Sequence, residues 1–159
     1  MSEPGPTNAA AVAQAETTQD ERTMAVLAHA LQVVGGWIAP LVIFFVRRQS
    51  RFVSFHSLQV LFLHLVYMVV WGCFMAFWVA GIVLAILNTH GSSNNGPPTA
   101  IIILFPLLWL GFMGMWALTV VVAVVYAIKA GRGEWAEYPV LGAWARRVLK
   151  IGPGGAPST

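Results

Sequence analysis

The sequence predicts an all-α protein: a polytopic transmembrane bundle of three membrane helices, the first of them kinked, with a C-terminal amphipathic helix on the membrane surface. Composition gives the first reason. Hydrophobic residues make up 58% of the 159, and Asp, Glu, Lys and Arg together only 9%, against roughly 25% in soluble domains. The second reason is segregation, because no charged residue occurs from Thr23 to Val46 or from Phe52 to Ile128. The third is that residues 60 to 87 show almost no polar face at helical or strand spacing, a surface tolerable only in lipid. Soluble enzyme classes are excluded on these grounds.

Residues 1–19 hold Pro4, Pro6, an alanine-rich stretch and acidic side chains but no basic run. They lack the form of a cleaved leader and read as a flexible tail. Thr18 followed by Glu21 has capping-box spacing, so the helical membrane domain, 20–150, starts there. In its first segment, 20–46, Met24, Leu27, Ala28, Leu31 and Val34 share one side, His29 and Gln32 lie on another, and Gly35, Gly36 and Pro40 interrupt the run. As one helix its uncharged part reaches roughly 36 Å, so a kinked spanning helix is expected, neighbours in the bundle re-satisfying the backbone. A surface helix leading into a re-entrant one is the alternative.

Arg47, Arg48 and Arg51 form a basic loop. The apolar segment 55–87 follows, roughly 50 Å as a helix and long enough to tilt or protrude. Residues 88–99 are uncharged and rich in Gly, Asn and Pro, hence a loop. A third apolar helix covers 100–130, with Pro106 near its start and Lys129 and Arg132 closing it. Along 138–150, Val140, Leu141, Trp144, Ala145, Val148 and Leu149 fill one half of a helical wheel and Arg146, Arg147 and Lys150 the other, the pattern of an interfacial helix. Residues 151–159 read as a disordered end.

Three crossings put eight of the nine basic residues on one side of the membrane, which should be cytoplasmic. The C-terminus is then cytoplasmic and the N-terminal tail outside, whereas a re-entrant first segment would return the tail to the cytoplasm with the basic count unchanged. Arg47, Arg48, Arg51, Arg146, Arg147 and Lys150 are candidate contacts to lipid headgroups, which makes the bilayer the first partner. Nucleic acid is not an expected one.

Chemistry is scarce. On the second helix His56, Gln59, His64 and Tyr67 share an arc of about 140° with Trp71 and Trp78, and polar groups in hydrocarbon face protein or water. They serve as interhelical hydrogen-bonding glue or line a hydrated groove. A metal site is disfavoured, since the two histidines lie two turns apart with no acid or thiolate beside them. Gly72, Ala76 and Ala80, then Thr119, Ala123 and Ala127, and also Gly111 and Gly114, are small residues suited to close helix packing within the chain or between copies. Glu134 and Glu137 should pair with neighbouring arginines. Cys73 stands alone, so no internal disulfide forms. No catalytic set, cofactor or metal is expected. The chain reads as a non-enzymatic membrane protein that binds other membrane proteins or itself, the alternative being a transport or translocation component with a polar groove.

Two stretches, Ser50-Arg51-Phe52-Val53-Ser54-Phe55-His56-Ser57-Leu58-Gln59-Val60 and Tyr126-Ala127-Ile128-Lys129-Ala130-Gly131-Arg132-Gly133-Glu134-Trp135-Ala136-Glu137-Tyr138-Pro139, resemble a family of small bacterial membrane proteins of unknown function. That family is distantly similar to the chloroplast inner-envelope translocon subunit of about twenty kilodaltons. The resemblance covers roughly residues 20 to 149 and implies the bacterial cytoplasmic (inner) membrane as location. A translocon-like role would follow from the plant relatives only by analogy of fold, and this chain has three apolar segments where they have four.

Overall fold

A computed structural model describes residues 17–89 and 99–152. Its secondary structure among them consists of five helices: α1 (Gln19–Gly35), α2 (Ile38–Val46), α3 (Arg51–Thr89), α4 (Thr99–Gly131) and α5 (Leu141–Leu149). The expected N-terminal tail, the centre of the 88–99 loop and most of the C-terminal end lie outside the described residues. The helices fall into two compact units, one of residues up to His64 and from Val120 onward, the other Leu65–Thr119.

In the first unit α1 begins where the capping box places it. The Thr18 hydroxyl accepts from Glu21 N–H at 3.2 Å, and the Glu21 carboxylate accepts from Thr18 N–H at 2.9 Å, satisfying two amides the first turn leaves unpaired. The helix stops at Gly36, whose φ of 55° favours glycine. From there the segment departs from the kinked spanning helix expected of it. Arg47, just past the end of α2, pairs with Asp20 at the start of α1 at 2.7 Å, and Ser50 donates to Glu21 at 2.6 Å. In one continuous helix positions 20 and 47 would stand roughly 40 Å apart. The segment is therefore a helical hairpin, with both ends at one level.

The expected three-crossing bundle is therefore not confirmed, and the N-terminal tail lies outside the described residues. Among the described residues two helices are long and apolar enough to span a membrane, Arg51–Leu87 and Ile102–Gly131. α1 and α2, with 17 and 9 residues, are each shorter than the ~20 a crossing needs. The hairpin turns small and polar side chains of α1 inward and large apolar ones outward: Ala25, Ala28, His29 and Gln32 are buried while Leu31 and Val34 are exposed.

The start of α3 runs through the middle of this unit, Phe52 to Val60 being buried without interruption. Phe52 packs with Ala25 and Ala130, and Phe55 and Leu58 pack with Ala145 of α5. The chain leaves α4, crosses back along α3 and turns into α5 through Tyr138 and Pro139. At Gly142 a Cβ would stand 2.6 Å from Glu137 Cβ, so only glycine permits the turn. α5 starts later than the 138 expected from Pro139, after Val140. It packs Ala145 and Leu149 inward and leaves Val140, Trp144 and Val148 exposed.

In the second unit α3 and α4 pair antiparallel. Tyr67 donates to the Met115 carbonyl at 2.9 Å and touches Thr119, Trp71 meets Phe112 and Trp78 meets Phe105, with ring centroids 5.1 and 6.4 Å apart. Pro106 sits in the second turn of α4 without ending the helix. Most other large apolar side chains of this unit are exposed, as lipid-facing surfaces must be.

The hairpin predicts that Gln19→Cys and Gln49→Cys, each on a Cys73→Ala background in sealed vesicles, react with an impermeant thiol reagent from the same side. Reaction from opposite sides would restore a crossing between them.

Candidate functional site

Three buried side chains from three distant segments meet in the first unit. His29 of α1 places Nδ1 3.0 Å from the Tyr138 hydroxyl and Nε2 3.0 Å from His56 Nδ1. His56 of α3 places Nε2 3.2 Å from the Glu134 carbonyl. A carbonyl only accepts, so His56 Nε2 carries the hydrogen, and in a neutral ring Nδ1 must then accept. His29 Nε2 therefore donates to it, His29 Nδ1 accepts, and the Tyr138 hydroxyl donates. The tautomers of both rings are thus set by one main-chain oxygen, 78 positions further along the chain than His56.

Gln59, one turn beyond His56, completes the arrangement. Its amide donates to the Ala136 carbonyl at 3.2 Å and accepts from Tyr138 N–H at 2.6 Å. The segment 134–138 is thereby held to α3 by its backbone, and Tyr138 is aimed at His29. Aromatic rings close the space around it: Phe52 lies edge-on to His56 at 4.6 Å, and Tyr126 to Tyr138 at 4.2 Å. Tyr126 also donates to the Glu137 carbonyl at 2.7 Å. At the surface Glu137 pairs with Arg146 and Glu134 more loosely with Arg132.

His56 and Gln59 have 0% exposure, so the arc read on the second helix does not act as one stripe. Its first half belongs to the histidine chain. Its second half is elsewhere: His64 bonds the Val60 carbonyl of its own helix at 3.0 Å, and Tyr67 lies with Met115 and Thr119 in the other unit. Of the small residues, Thr119 and Ala123 are buried, and Ala127 is partly so. Gly72, Ala76, Ala80, Gly111 and Gly114 are exposed, and a Cβ at any of the three glycines would meet open space. Arg47 is engaged with Asp20 and Arg146 with Glu137, while Arg48, Arg51, Arg147 and Lys150 are exposed. No group of three or more metal-ligating side chains occurs among the described residues.

His29 and Tyr138 are the site residues that the sequence reading did not single out. The available signal was that His29 and Gln32 lie opposite the apolar side of a segment bound for lipid, which makes their side the inner one. Gln32 is indeed buried, but its amide makes no hydrogen bond. Burial, and next the neighbouring His56, hold the His29 pKa well below its usual 6.5. For Glu21 partial burial opposes ionisation, yet hydrogen bonds from Ser50 and Thr18 and the charge of Arg47 leave its pKa lowered.

Two outcomes follow for unfolding of the full chain in detergent micelles. Gln59→Leu orphans the Tyr138 amide and the Ala136 carbonyl and should cost about 2–4 kcal/mol, whereas Gln32→Leu removes an unpaired buried amide and should be neutral or stabilise by about 1 kcal/mol. Equal losses at both positions would refute the bonding described. His29 is neutral when folded and titrates near 6.5 when unfolded, so its contribution is complete above that pH and falls as the pH drops below it. A midpoint unchanged between pH 8 and pH 5 would contradict its burial.

A model of one protein family, described as magnetosome magnetite crystal formation proteins, matches residues 20–145. Neither a curated protein nor a solved structure matches the chain, and nothing found links it to the chloroplast translocon subunit. The match takes in both motif stretches, the helical hairpin and every member of the histidine chain, and the protein belongs to this magnetosome membrane protein family, MamF_MmsF.

Proposed function

We propose that the protein is a non-enzymatic, multi-pass component of the membrane in which a magnetite crystal forms, and that it acts by binding other membrane proteins or itself. The family match over residues 20–145 is the observation that carries this reading. The chemistry is consistent with it. The buried polar cluster that joins α1, α3 and residues 134–138 is closed on itself, every ring nitrogen of His29 and His56 being engaged within the chain. Basic residues concentrated in one unit favour a cytoplasmic side for it, C-terminus included, and the hairpin keeps the start of α1 beside Arg47 on that side.

Charge is absent from the stretch between α3 and α4. From Asn88 to Pro98 it contains no carboxylate and a single histidine, His90, too few ligands to hold an iron ion against water. The role is therefore indirect: organising the membrane or its proteins rather than binding mineral. The translocation alternative loses its support, because His56 and Gln59 are fully buried and paired.

Deleting the gene in a magnetite-forming cell that carries it should change crystal number or size by electron microscopy. The wild-type gene should restore them and a Gln59→Leu copy should not. Crystals unaltered by the deletion would overturn the role. Gentle extraction followed by native mass analysis should recover a complex or a defined oligomer, and a bare monomer would overturn the binding mechanism.

A further inference from the structure

We infer that the α1–α2 hairpin and α5 form a wedge that inserts into a single leaflet of an anionic bilayer and so favours strongly curved membrane. The hairpin has a polarity gradient along its own length. At its base lie Asp20, Glu21, Arg47 and Arg48, and at its tip Val34, Trp37 and Ile38 are exposed, Val34 to 91%. Between them Val42 and Phe45 remain exposed along the outer side of α2, a helix with no charged residue in it. α1 measures about 25 Å, and the Asp20–Arg47 pair holds both ends of the hairpin at one level. An apolar tip on such a base enters a bilayer from one side and leaves by the same side.

α5 supplies a second insertion. Val140, Trp144 and Val148 recur every four residues on its exposed face, with Arg147 beside them. Charge complementarity selects lipid as the occupant. Arg48, Arg51 and Arg147 are exposed and form no ion pair among the described residues, and cations bordering an apolar face are the arrangement that anionic headgroups receive. Apolar volume added to one leaflet expands that leaflet alone. The insertion is therefore easier where curvature has already spread the headgroups.

This inference rests on the membrane reading above, and the two can fail separately. The full chain, fluorescently labelled, is reconstituted into vesicles of phosphatidylglycerol and phosphatidylcholine sorted by diameter. Protein density per lipid area should be roughly threefold or more higher in vesicles of about 50 nm than in those of about 400 nm. The preference should shrink when the phosphatidylglycerol is omitted. Ile38→Ser, Val42→Ser and Phe45→Ser together should abolish most of it while the protein stays membrane-integrated. If that variant does not fold, Trp144→Ser with Val148→Ser, confined to the exposed face of α5, should weaken it. Equal density at all diameters, with the protein resistant to alkaline extraction, would overturn the wedge alone and assign the exposed face of α2 to a second copy or another protein. Release by alkaline extraction would overturn the membrane reading and the wedge with it.

Discussion

A histidine withdrawn from water needs a partner for each ring nitrogen, because an unpaired buried polar group costs about as much as a whole side-chain contact contributes. That requirement organises the first unit. His56 cannot be buried in α3 unless the Glu134 carbonyl reaches it, which brings the chain back from α4. His29 cannot be buried in α1 unless His56 and Tyr138 both reach it. Apolar packing around Phe52 and Phe55 supplies the driving force, but it is non-directional. The hydrogen bonds select one register among the many that would bury the same rings.

Local features were legible in the sequence because they depend on neighbours in the chain. The capping box at Thr18 and Glu21, the long apolar helices and the basic loop at Arg47 to Arg51 all rest on residues within a few positions of one another. The course of residues 20–46 was not legible. Gly35, Gly36 and Pro40 announce a break but not its angle, and the angle comes with an ion pair between Asp20 and Arg47. The polar arc on α3 was placed on the correct helix and read as one feature, yet its members sit in two units with separate partners. Helical spacing tells which residues share a side. It says nothing about what occupies that side at each level.

The same geometry bears on the proposed role. Several of its charged and hydrogen-bonded groups engage one another, in the Asp20–Arg47 and Glu137–Arg146 pairs and in the histidine chain, while Arg48, Arg51 and Arg147 stay exposed at the first unit. What remains outward is apolar surface over most of the second unit, with exposed glycines on both of its helices. On the reading proposed above, such a molecule acts through the bilayer and its neighbours there.

The Gln59 amide and His56 Nε2 meet their partners at the carbonyls of Ala136 and Glu134 and the amide of Tyr138, all main-chain atoms. A carbonyl is supplied by whichever residue occupies the position. Among descendants of one ancestral gene, positions 134 and 136 are therefore free to drift as far as their other contacts allow. Positions 29, 56 and 138, whose side chains bond one another, are coupled. Half of this network is written in side chains and inherited as a block, and the other half is written in backbone shape and survives substitution.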